Sequence, residues 1–192
     1  MSITANKVVK IAKREDGYEE KKSCSRLNDP HANAGTKNHT KYEKDLFGSS
    51  GNYWCASFVS WVFWVACGKS KSKALKVLYS LSMSCENMRQ AFIKAKRYSN
   101  TPKVGDCVFF KGTRHVGANH IGIVIHVDKT SITTMEGNTS SKKFDDNGGC
   151  VAKKTYSKKY SGILGYGHPN YVKAGKGVLM NASETKTTTT KE

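Results

Sequence analysis

The chain has 192 residues, 38% of them hydrophobic, with 32 basic against 15 acidic side chains and a formal charge of +17. That length suits one domain of ordinary size plus some tail, and no stretch reaches the ~18 apolar residues a membrane span needs. The basic excess draws the protein towards polyanions, with nucleic acid and anionic wall polymers such as teichoic acids as equal candidates on charge alone.

Met1 to Lys13 has neither the long apolar core nor the small-residue cleavage site of a secretory signal. Synthesis in the cytoplasm with reduced thiols is therefore expected, and any action outside needs another export route. Within "ITANKVVKIAKRE", Ile3, Val8, Ile11 and Ala12 fall at helical spacing, and Gly17 closes the helix. Residues 17–51 are polar and turn-rich, with "NDPHANAG" reading as an irregular loop. Trp54 to Cys67 is apolar on every side and reads as a buried helix stopped by Gly68. "KSKSKALK", Lys69 to Lys76, reads as a solvated basic segment. Cys85, Met88, Phe92 and Ala95 define a second amphipathic helix that ends before Pro102. The period then changes, and "GDCVFF", "HIGIVIHV", "SITTMEG", "GGCVAKKTY" and "SGILGYG" are short β-prone runs between turn residues. From 172 to 192 the composition is that of a linker or disordered tail. Helices first and an antiparallel sheet afterwards predict an α+β domain over residues 1–171.

Six cysteines, Cys24, Cys55, Cys67, Cys85, Cys107 and Cys150, show no CxxC or Cys/His spacing, so no metal site is expected. Cys55 differs from the others by heading the predicted Trp54–Cys67 helix, where unpaired N–H groups and the helix dipole favour a thiolate. Cys67 lies at a C-terminal end, and Cys85 in an isolated first turn. A nucleophilic cysteine also needs a base held by a third group. Among six histidines, His31 and His39 lie in the polar loop, His115 in a glycine-containing turn, and His168 before a proline. His120 and His126 share one strand, and His120 opens it, where a side chain can meet a helix terminus. A three-residue loop at 128–130 would pair Val127 with Ser131, setting His120 opposite Asn138 and diagonal to Glu136 on one face. A two- or four-residue loop would put them on opposite faces. In the first register, a carboxylate and an amide can both fix the imidazole tautomer. A helical cysteine alone is usually structural, as is a strand histidine alone. The helix-head cysteine, strand-initial histidine and Glu-x-Asn hairpin together favour catalysis. Tyr53 and Trp54 flank the cysteine as candidate sugar-stacking rings, with core packing as the alternative.

"WCASFVSWVF", "VGDCVFF", "HIGIVIHV", "TTMEGNTS" and "ILGYGHPNY" resemble the CHAP domain, the cysteine, histidine-dependent amidohydrolase/peptidase family. "REDGYEEKKS" and "NAGTKNHTKYEKDL" are similar to versions in phage endolysins and wall hydrolases of clostridia-like Gram-positive bacteria. The resemblance covers about residues 5 to 171 and implies a papain-like fold. It also implies cleavage of a peptidoglycan amide, with Cys55 as nucleophile, His120 as base, and Glu136 and Asn138 orienting it. Two departures stand out. The stretch before the cysteine, "KDLFGSSGNYW", offers only Asp45, so the calcium held by some members is not carried over and no cofactor is expected. "GYGHP" has His168 where the family suggests arginine. The expected function is an endolysin-like peptidoglycan amidase or endopeptidase, a monomer acting on peptidoglycan and anionic wall polymers rather than on nucleic acid or a membrane. The alternatives are an antibacterial toxin with the same chemistry, a basic nucleic-acid-binding module with an inert cysteine, and a catalytically dead wall-binding domain.

Overall fold

The structure is a computed structural model and describes residues 3–112, 116–140 and 148–171. The expected tail, 172–192, and His115 lie outside the described residues. Five helices come first: α1 (Ala5–Arg14), α2 (Lys41–Phe47), α3 (Cys55–Ala66), α4 (Lys71–Leu78) and α5 (Cys85–Lys94). Six strands follow: β1 (Tyr98–Ser99), β2 (Cys107–Lys111), β3 (Ala118–Val127), β4 (Ser131–Thr139), β5 (Cys150–Ser157) and β6 (Ile163–Gly167). All pair antiparallel in one sheet of order β1-β6-β2-β3-β4-β5. This is the α+β architecture expected.

The main core lies between α3 and the sheet. From α3 come Phe58, Val59, Val62 and Phe63, and from the strands Phe109, Ile121, Ile123 and Met135. Alternate strand residues, among them Val108, Phe110, Val124, Ile132 and Tyr166, form a smaller second cluster, as the two-residue repeat of a strand requires. The hydrophobicity of α3 all round follows from its place, because its first nine residues are all buried.

Two helices replace expected irregular chain. Lys71–Leu78 is not a solvated run but α4, capped by Ser70 and burying Ala74, Val77 and Leu78. Within the polar stretch, Thr40 caps α2, and Tyr42 joins Tyr18, Trp54 and Phe58 in an aromatic cluster. The Lys41 ammonium pairs with Glu15 at 2.7 Å and lies over the rings of Tyr18, Tyr42 and Trp61. A charge so enclosed anchors the N-terminal segment to the core.

The β3–β4 hairpin sets the register of the polar residues. Its turn is longer than expected, with Val127 paired to Ile132 and His126 to Thr133. A β-bulge between Val124 and His126 then restores Val124 to Thr134 and Ile123 to Met135. One extra residue in the turn is offset by one extra residue in β3. At Ile123 and Met135 the pairing is thus the one a three-residue loop would have set.

Candidate active site

Of the five helices, α1, α2, α4 and α5 each start with a threonine or serine whose side chain accepts a backbone N–H. Helix α3 starts at Trp54, whose side chain makes no capping hydrogen bond. Its first-turn N–H groups are therefore left for something else, and Cys55 stands among them as the first helical residue. The neighbouring Ala56 N–H favours the thiolate form of Cys55. Trp54 is held by burial instead: its ring stacks on Tyr42 at 5.5 Å, and its Nε1–H donates to Glu20 at 3.0 Å. The loop leading in is fastened by the buried Glu43 carboxylate, which accepts the N–H groups of Gly51 at 3.0 Å and Asn52 at 3.3 Å.

The base arrives from the sheet. The His120 imidazole is fully buried and stands close enough to the Cys55 thiol for each to shift the other's charge. Its Nε2–H donates to Glu136 Oε2 at 2.9 Å. Glu136 is also fully buried and accepts two more hydrogen bonds, from Thr134 Oγ1 at 2.5 Å and Tyr156 Oη at 3.2 Å. A buried carboxylate needs such partners in place of lost water, and here they also fix its direction. Gly137 permits the approach of α3: a Cβ there would come within 2.6 Å of Phe58 and 2.8 Å of Trp54. Asn138 is fully buried with φ 55°, in the left-handed region.

A second sulfur completes the cluster. Cys85 Sγ lies 3.3 Å from Cys55 Sγ, and Cys85 is the first residue of α5. It is therefore no isolated first-turn residue. The contact joins residues 30 apart in sequence, and no local pattern reveals it.

The electrostatics follow from these contacts. The Cys85 hydrogen bond pulls the Cys55 thiol well below its ordinary range, against the effect of burial, with His120 and the Ala56 N–H adding to it. Burial alone would push His120 down, but the Cys55 sulfur and the Glu136 carboxylate beside it outweigh burial and raise it to about 10. The two shifts describe one thiolate–imidazolium pair. Cys107 and Cys67 are pushed up by burial and stay thiols. Turnover needs the thiolate and a protonated imidazole together. The activity profile should therefore stay flat through neutral pH, falling on the alkaline side near pH 10 and on the acid side below the ordinary thiol range. Alkylation of Cys55 by iodoacetamide across pH reads the acid limb directly. Onset only near the free-thiol range would show that no ion pair forms.

The family model of the CHAP domain matches residues 47–138, a span that contains Cys55, Cys85, His120, Glu136 and Asn138. That span resembles a CHAP domain. Two solved structures are similar to it in fold. The crystal structure of Ly7917 superposes with TM-score 0.51 at 14% identity, over 86% of this chain and 62% of that one. Ly7917 with the hydrolyzing product of MDP gives 0.49 at 16% identity, over 86% and 63%. The chain thus spans less than two thirds of the length of Ly7917. A comparison with the curated proteins finds no match.

Within the matched span, the structure places Cys55, His120 and Glu136 together. Trp54 does not serve as a sugar platform, because its ring has no exposed area. Tyr53, 49% exposed, is the flanking aromatic open to solvent. His126 is exposed and engaged with Asp128 at 2.9 Å. His168 joins Asp106 through Nδ1 at 2.9 Å and Ser99 through Nε2 at 2.7 Å, which latches the end of β6 to β1 and to the turn before β2. Asp45 accepts the Trp61 Nε1–H at 3.0 Å. Among the described residues, no group of three or more His, Cys, Asp or Glu side chains could hold a metal ion, and no helix is long and apolar enough to cross a membrane.

Proposed function

We propose that this chain hydrolyses an amide bond of bacterial peptidoglycan through a thioester on Cys55. The observation that carries the reading is the buried His120, hydrogen-bonded to Glu136 and acting on the Cys55 thiol at an uncapped helix head, inside the CHAP match. The Cys55 thiolate attacks the amide carbon, and the developing oxyanion faces the first-turn N–H groups of α3. The His120 imidazolium then gives its proton to the departing amine, leaving a thioester. Neutral His120 takes a proton from water, whose oxygen attacks the thioester and releases the acid and the thiolate. Glu136 holds the ring and offsets its charge in the protonated state, and Asn138 is assigned the second orienting role.

The charge of +17 suits an anionic wall, to which the protein binds as a monomer. The N-acetylmuramoyl–L-alanine link is favoured over a stem or cross-bridge peptide bond, because Tyr53 offers an exposed ring beside the nucleophile for a sugar face. Digestion of purified sacculi with labelling of new amino termini tests both levels of the reading. Fresh L-alanine termini support the amidase. Glycine or diaminopimelate termini without L-alanine reassign it as an endopeptidase. Salt-sensitive DNA binding with no digestion overturns the enzyme in favour of a nucleic-acid-binding module.

Calcium should not be needed. A hard cation takes six or more oxygen ligands at ~2.3–2.6 Å, and the one aspartate before Cys55 is engaged with Trp61. Lysis is expected to be unchanged by a chelator. Loss in chelator that calcium alone restores would overturn this expectation.

A further inference from the structure

We propose that Cys85 is a resolving thiol: on exposure to hydrogen peroxide or an organic hydroperoxide, Cys55 and Cys85 join in a reversible disulfide that withdraws the nucleophile. The inference rests on Cys55 being the reactive thiol of the proposed hydrolase, and it adds a modification site to that chemistry.

The geometry is built and held from two sides. Both sulfurs sit on the first residues of helices, Cys55 on α3 and Cys85 on α5, 3.3 Å apart. The turn before α5 is sutured to α3 by Ser60, whose Oγ donates to the Ser82 carbonyl at 3.1 Å and accepts the Ser82 N–H at 3.2 Å. On the other side, Glu86 accepts the Ala118 N–H at 2.7 Å, tying the head of α5 to the start of the strand that carries His120. Arg89 grips the same carboxylate through two hydrogen bonds of 2.9 Å. Closing the pair to the about 2.05 Å of a disulfide moves the sulfurs by little more than an ångström between them. Cysteine is also the informative choice at position 85. A serine there would be the stronger hydrogen-bond donor to a thiolate, since S–H is a weak donor. What cysteine adds is a second oxidisable sulfur.

The step balances as two thiols and one hydroperoxide giving a disulfide, an alcohol (or water) and water. The Cys55 thiolate attacks the outer peroxide oxygen, breaking the O–O bond and forming a sulfenic acid as alkoxide or hydroxide leaves. Cys85 sulfur then attacks the Cys55 sulfur, and the sulfenic oxygen departs as water with the thiol proton. Cys55 is 3% exposed and Cys85 7%. With the Cys85 sulfur already 3.3 Å away, it is the thiol at hand to resolve the sulfenic acid.

The test oxidises the full chain with hydrogen peroxide and maps its peptides without reduction. The expected result is a Cys55–Cys85 cross-linked peptide, a parent mass lower by about 2 Da for the two hydrogens lost, and a fall in wall lysis of at least tenfold. Dithiothreitol should restore that lysis. In Cys85→Ser the cross-link should be absent, and Cys55 should pass to sulfinic and sulfonic acids that dithiothreitol does not reverse. Cys55 oxidised to sulfinic acid in the wild-type chain, or cross-linked to another cysteine, overturns the proposal. Equal recovery in the wild type and Cys85→Ser also overturns it. The wild-type map decides alone if Cys85→Ser fails to fold. Absence of wall lysis in the reduced, untreated protein sinks the hydrolase reading instead, while the cross-linked peptide still decides the thiol pair.

Discussion

Cys55→Ala is expected to abolish the clearing of Gram-positive cell walls while leaving the far-ultraviolet circular dichroism unchanged. Removing the nucleophile from a unit that acts together costs on the order of 10⁴–10⁶ in turnover, because no other group can form the acyl intermediate. The fold has little reason to respond. Position 55 is the first residue of α3, alanine is the best helix former, and the volume lost is one sulfur. A turbidity assay beside a thermal melt separates the two effects. Lysis by the alanine variant at more than about a hundredth of the wild-type rate, set against that range, sinks the nucleophile assignment.

His120→Ala should be as inactive as the cysteine variant. Without the imidazole the thiolate loses its counter-charge, and the leaving amine has no proton donor. The alanine also strips the Nε2–H from a fully buried carboxylate, so a stability cost of about 1–3 kcal/mol is expected alongside. The iodoacetamide reactivity of Cys55 at neutral pH distinguishes lost activation from lost folding, since it should drop even where the melt shows a native transition. Glu136→Gln should lose less, about 10- to 100-fold as for outer-shell partners of a reacting group. The amide oxygen still accepts from Nε2–H, but its neutral charge no longer supports the imidazolium, so the alkaline limb should move below pH 10. His126→Ala should keep most activity, because that ring is exposed and pairs with Asp128. An inactive His126→Ala beside an active His120→Ala would place the base at the other end of β3.

Much of this site was legible because its parts announce themselves locally. A cysteine heading an aromatic run, a histidine opening a β-branched run and "MEGN" on the strand that follows are each visible in a short window. The contacts that complete the site are not. Cys85 meets Cys55 across two helices, and Tyr156 reaches Glu136 from the neighbouring strand. The register came out as a three-residue turn implies, but by a longer turn and a bulge at Ile125. Nothing in "HIGIVIHV" marks that bulge, since every residue from Ile121 to Ile125 is apolar or glycine. Helix α4 was hidden by its lysines, with only Ala74, Val77 and Leu78 turned inward. For α2 the signal was present: Thr40 and Glu43 stand in capping-box spacing. Trp54 was misplaced because a buried ring and a sugar platform look the same in sequence.

The bare head of α3 has a consequence for anyone who engineers this protein for heat resistance. Four helices here carry a serine or threonine cap, and such a cap is worth about 1 kcal/mol. The helix that lacks one is the obvious place to add it. Yet a polar side chain that satisfied those N–H groups would compete for the donors that face Cys55 and the oxyanion. Thermostability gained at this position would surface as lost turnover, the trade-off met when a destabilised active site is relaxed. Screens that rank variants by melting temperature alone would select against the enzyme.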